Sequence, residues 1–221
     1  VQITDGGSSG MELLLIGTCG PAGTDEKPLM MIDPAYTNYI SFAERVGRKT
    51  VTIKRKMEDN GKFTLPEVSE IEEMIQKHNP GALLVIPYDN PTGQLYDYEN
   101  MKDLAKLCVK YNMWMVSDEA YRELYYQEDK PLVSIWGLTD ADVPGIEGRR
   151  ISIETASKVW NACGLRIGAV ITDSAEFNNR SIAEYTANLC ANVIGQYIFA
   201  ALAHESKEQI AAWCSELREY Y

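Results

Sequence analysis

Apolar residues fall into short blocks separated by longer stretches with helical spacing. The blocks at residues 1–4, 29–32, 50–53, 82–86, 114–117, 150–153 and 167–172 are each bounded by turn residues and read as strands. Between them the polar and apolar positions alternate with a helical period. Helices are expected over residues 8–16, 36–46, 67–78 and 98–111, with further helices from Ser174 to the end. In the third of these, Val68, Ile71, Met74 and Ile75 form one buried face behind Leu65-Pro66-Glu67, with proline near the first turn. Asn60-Gly61 marks a turn, and residues 140–148 read as the loosest surface loop.

Apolar strands alternating with amphipathic helices predict an α/β fold: a three-layer α/β/α arrangement around a mostly parallel central sheet. In such sheets ligands bind beyond the carboxyl ends of the strands. No repeat or low-complexity linker divides the 221 residues, so one domain spanning 1–221 is expected.

Composition narrows the function. Hydrophobic residues make up 45% and charged residues 24%, an ordinary globular balance. The net charge of −11 and the one basic triplet, Lys54-Arg55-Lys56, argue against a nucleic-acid partner, and the triplet reads as a solvated strand end. No apolar stretch has the length of a membrane span, so no membrane partner is expected. Cys19, Cys108, Cys163, Cys190 and Cys214 are odd in number and widely spaced, which suits a reducing cytoplasm better than a disulfide frame or a metal site.

Six polar segments lie at or beside strand ends. Thr155-Ala156-Ser157-Lys158 closes one strand, and Arg166-Ile167-Gly168 opens the next. A lysine amine in a desolvated positive pocket can form a Schiff base near neutral pH, and an arginine fork matches phosphate oxygens. Asp5-Gly6-Gly7-Ser8-Ser9 joins a strand to a helix, where free N–H groups can meet an anion; a plain turn with a serine cap is the alternative. Asp118, with Tyr121 after it, closes a buried strand, as a turn cap or as a carboxylate facing a pyridinium nitrogen. Asn90-Pro91-Thr92-Gly93 is a turn whose amide could also reach a ring oxygen, and Tyr36 is a core residue or a ring-stacking one.

Taken in order, Gly6-Gly7-Ser8, Pro34-Ala35-Tyr36, Asn90-Pro91-Thr92-Gly93, Asp118 to Tyr121, Thr155 to Lys158 and Arg166 to Gly168 resemble the class I and II aminotransferases of fold type I, the pyridoxal 5′-phosphate enzymes. The resemblance implies the large domain of such an enzyme and a likeness to aspartate aminotransferase over nearly the whole chain. It implies that Lys158 forms the internal aldimine and then carries the proton between substrate Cα and cofactor C4′. Asp118 is implied as the partner of the ring nitrogen, with Tyr121 and Asn90 on the phenolic oxygen and Tyr36 stacked on the ring. Gly7, Ser8, Ser9, Thr155 and Arg166 are implied as the phosphate site. Amino acid and 2-oxo acid substrates and a homodimer follow from the same resemblance.

The family's N-terminal segment and its C-terminal small domain, which carries the substrate-carboxylate arginine, have no counterpart in these residues. No arginine occurs over residues 184–190, where members acting on acidic substrates carry one. Other reactions of the same cofactor remain open: β- or C–S elimination, decarboxylation or cyclopropane-forming elimination. So does a truncated domain that binds the cofactor or dimerises without turnover.

Overall fold

The computed structural model describes residues 1–21, 23, 27–127 and 130–220. Strands β1 (Gln2–Asp5), β2 (Leu29–Asp33), β3 (Thr50–Lys54), β6 (Ala82–Val85), β7 (Trp114–Asp118), β8 (Arg150–Thr155) and β9 (Ile167–Thr172) form one sheet in the order β1-β9-β8-β7-β6-β2-β3. The other two strands, β4 (Lys56–Met57) and β5 (Phe63–Thr64), make a small hairpin around Asn60-Gly61. The pairings of β3, β2, β6, β7 and β8 are parallel, while β9 runs against both β8 and β1. The sheet is therefore mostly parallel with one reversed strand. Residues 156–166 join β8 to β9 with only a short 3₁₀ turn (Cys163–Leu165), and a parallel return needs a longer crossover, usually helical.

Helices α1 (Gly6–Thr18), α2 (Asn38–Arg45) and α5 (Ala175–Tyr185) share one face; α3 (Val68–His78) and α4 (Tyr98–Lys110) share the other. Strand β2 shows how the two layers follow from its sequence. Leu29 and Met31 pack with Leu14 and Phe177, whereas Met30 and Ile32 pack with Ile75 and Leu104. Alternate side chains point to opposite faces, so a strand covered on both sides must be apolar throughout, as Leu29-Met30-Met31-Ile32 is. Each such side chain, fully buried, contributes roughly 1.5–3 kcal/mol of transfer free energy. Beyond α5 lie α6 (Val193–Ala200) and α7 (Lys207–Tyr220).

Three expectations from the sequence are corrected. Arg55 is not a solvated strand end: it is 7% exposed, folded beneath the β6 loop, while Lys54 and Lys56 stay outside. The segment 140–148 is a loop, but an anchored one. Val143 and Ile146 are buried in the α3–α4 core, and Asp140 Oδ1 accepts the N–H groups of Gly145 (3.1 Å) and Glu147 (3.0 Å). Helix α2 begins at Asn38, which leaves Tyr36 in the loop ahead of it.

Candidate functional site

Because β9 is reversed, its first residues lie at the same edge of the sheet as the last residues of β1, β7 and β8. Thr155 pairs with Gly168, and Thr4 pairs with Gly168 from the other side. At this edge a cavity of about 240 Å³ opens between the ends of β6, β7 and β8 and the first turn of α1. Gly7, Ser8, Tyr36, Asn90, Asp118, Tyr121, Thr155, Lys158 and Arg166 all line it, on an apolar floor that includes Met11, Ile86 and Ile153. Five separate loops thus converge on one volume.

One corner is built for an anion. Helix α1 starts at Gly6, so the N–H groups of Gly7 and Ser8 belong to its first turn, where no intrahelical acceptor exists. Arg166 stands against that turn. An added Cβ on Gly6 (φ +74°) would fall 2.8 Å from the Arg166 guanidinium carbon, so any side chain at Gly6 would occupy the fork's place. Arg166 itself has φ 49° and donates to Cys163 O at 3.0 Å, which fixes the fork beside the turn. Thr155 and Ser157 close the corner, with their hydroxyls 2.9 Å apart. Ser9 is not among the lining residues. One residue further round the helix, its hydroxyl meets that of Tyr185, which also donates to Asp5 Oδ2 at 3.0 Å.

Gly168 sets how close these parts come. A Cβ there would lie 2.5 Å from Gly6 C and 2.7 Å from Gly7 N, backbone atoms that cannot move alone. Gly168→Ala is expected to cost about 1–3 kcal/mol through overpacking, lowering the melting midpoint by several degrees. Thermal unfolding of the variant checks it; a midpoint within one degree of wild type would contradict this close approach.

The opposite corner holds a carboxylate. Asp118, the last residue of β7, accepts the Tyr39 hydroxyl on Oδ2 at 2.5 Å and the Ala120 N–H on Oδ1 at 3.0 Å. Burial pushes the Asp118 carboxyl above its usual range, and these two donors pull it back. Burial, followed by the neighbouring Asp118 charge, holds the Tyr39 phenol well above its ordinary value, so Tyr39 stays a donor. The sequence reading missed Tyr39. It follows Tyr36 by three residues and their rings meet edge-on at 5.4 Å, but only the folded chain brings its hydroxyl to Asp118. Between the two corners, Lys158 Nζ lies 5.8 Å from the centroid of the Tyr121 ring. An amine, a half-buried carboxylate and an anion corner around one slot suit a flat, anionic, carbonyl-bearing ligand.

Comparison with known proteins agrees. The family described as aminotransferase class I and II matches residues 1–221. A 2-aminoadipate transaminase of Thermus thermophilus is 27% identical over 93% of this chain and 48% of its own length. A solved putative aminotransferase from Clostridium difficile, bound to pyridoxal phosphate, has the same fold with a TM-score of 0.84 at 18% identity, covering 99% of this chain and 53% of that one. A C–S lyase from Staphylococcus hominis shares the fold too, with a TM-score of 0.77 at 16% identity over 99% of this chain and 50% of that one. The chain spans less than half the length of the curated relatives it matches.

Proposed function

The chain belongs to the class I and II aminotransferase family, and on that premise we propose that it is the pyridoxal 5′-phosphate-binding core domain of an enzyme moving amino groups between an amino acid and a 2-oxo acid. The observation that carries this reading is the single cavity joining Lys158, Asp118 and the Gly7–Arg166 anion corner. The residues present fit the cofactor. The absent Cβ at Gly6 leaves room for the Arg166 fork beside free helix N–H groups, and the half-buried Asp118 offers a carboxylate to a protonated ring.

Gly7, Ser8, Thr155 and Arg166 would hold the phosphate, with Ser9 contributing only through its place in the same turn. Tyr36 would cover the ring, and Tyr121 and Asn90 would donate to its phenolic oxygen. Asp118 would keep the ring nitrogen protonated. Lys158 would hold the cofactor through its amine and, once released, carry the proton between substrate Cα and cofactor C4′. When bound, pyridoxal phosphate supplies an aldehyde that condenses with amines and a ring that accepts the electron pair left at Cα.

Among the described residues Arg166 is the only arginine lining the cavity, and it is assigned to the phosphate, so the clamp on the substrate carboxylate falls to residues outside that lining. The test of reaction type uses the whole enzyme with an amino acid and a 2-oxo acid. Stoichiometric exchange of one for the other without ammonia supports transamination; release of ammonia and a 2-oxo acid from one substrate would replace it with elimination.

The enzyme is a homodimer in this reading. Leu189, Val193, Ile194 and Tyr197 are 86%, 63%, 73% and 83% exposed on and just before α6, and this cluster of exposed apolar side chains supports a partner surface there. Ile194→Asp is expected to shift the dimer toward monomer in sedimentation runs; a wild-type protein that sediments as monomer would contradict the dimer. The five free cysteines, three of them buried, support a reducing, cytoplasmic setting.

A further inference from the structure

Arg55 and Asp89 form an ion pair at 2.6 Å in which neither side chain has any exposed surface. Arg55 also donates to Gln94 Oε1 at 2.5 Å and to the Tyr96 hydroxyl at 3.0 Å, and its own N–H reaches Asp33 O at 2.7 Å. The second carboxylate oxygen of Asp89 accepts the Thr92 N–H at 3.2 Å and the Thr92 hydroxyl. A buried ion pair is a weak source of stability because both charges lose their water. This one is not even fully satisfied, since Arg55 Nε has no partner among the described residues. What the pair does achieve is connection. Arg55 grips the end of β2, just ahead of Tyr36, and Asp89 is the residue before Asn90. Two walls of the cavity are fastened to one buried contact.

We infer that Arg55 and Asp89 are positioning residues, holding the Asn90-Pro91-Thr92-Gly93 turn so that the Asn90 amide meets the phenolic oxygen of bound pyridoxal phosphate. The inference rests on the cofactor reading above. A donor on that oxygen stabilises its negative charge and competes with the neighbouring proton. Loosening the donor lets the proton persist to higher pH.

The test is a pH titration of the visible absorbance band of the full chain loaded with pyridoxal phosphate, alongside a thermal melt of each variant. Arg55→Lys keeps the charge and loses the fork; its titration midpoint is expected to rise by about half a unit to one unit, the effect of one hydrogen bond. Thr92→Val removes the hydroxyl that Asp89 and Arg55 (3.4 Å) share but keeps both charges of the pair, and it should shift the midpoint the same way by less. In an Asn90→Ala background neither substitution should add a further shift, a result that a general loosening of the fold would not give. Midpoints equal to wild type in both single variants, or full additivity with Asn90→Ala, would overturn the positioning role while leaving the cofactor reading intact. No visible band in the wild-type chain would remove both.

Discussion

Lys158→Ala is expected to abolish the borohydride-trapped covalent adduct between pyridoxal 5′-phosphate and this chain. Among the described residues Lys158 is the only lysine lining the cavity, and the anion corner beside it would hold a phosphate-bearing aldehyde where its amine can meet it. Lysines on the outside of the protein can react with an aldehyde, but they lack the phosphate site that raises the local concentration. Peptide mapping of the reduced wild type should place the label on Lys158, and the variant should lose it altogether. Turnover of the whole enzyme should fall by at least roughly 10²–10⁴-fold, the usual contribution of a positioned acid–base group. An adduct of the same yield and position in the variant would end the assignment.

Asp118→Ala has the second largest expected effect, and it should separate binding from chemistry. Phosphate contacts on the far side of the cavity do not involve Asp118, so the cofactor should still bind, more weakly. Burial raises the carboxyl's pKa in the free protein, and a ring cation placed against it acts in the opposite direction, favouring the carboxylate. Removing that charge from a preorganised, water-poor site should cost turnover roughly 10²–10³-fold. Turnover within twofold of wild type, measured in the whole enzyme, would count against Asp118 as the ring partner.

Most of the architecture was legible because each strand carries its own pattern. Leu29-Met30-Met31-Ile32 and Ala82-Leu83-Leu84-Val85 are apolar on both faces, and only a strand covered on both sides tolerates that. The lining residues, Ser9 excepted, were legible only through the order of six short motifs that resemble one family, since each turn read alone has an ordinary explanation. What escaped the sequence depended on distant partners. Arg55 sits in a basic triplet, and nothing local shows that Asp89, far along the chain, neutralises it. Tyr39 reads as one more aromatic on a helix until Asp118 is brought to it. Strands β4 and β5 have two residues each, too short for any period to register. Val143 and Ile146 are too few to outweigh the glycines, charges and single proline around them, so their loop looked loose.

The reversal of β9 has a kinetic side. Strand β1, at one end of the sheet, is paired only with β9, through register partners such as Gln2 with Val170 and Asp5 with Ile167. Such pairing closes a loop of most of the chain's length, and long closures come late because their entropy is lost before the contact repays it. The Gly6–Arg166 corner straddles that same seam. A nascent or partly refolded chain could therefore carry a well-formed central sheet and still be unable to retain a phosphate. Cofactor uptake then marks the completion of folding rather than its onset.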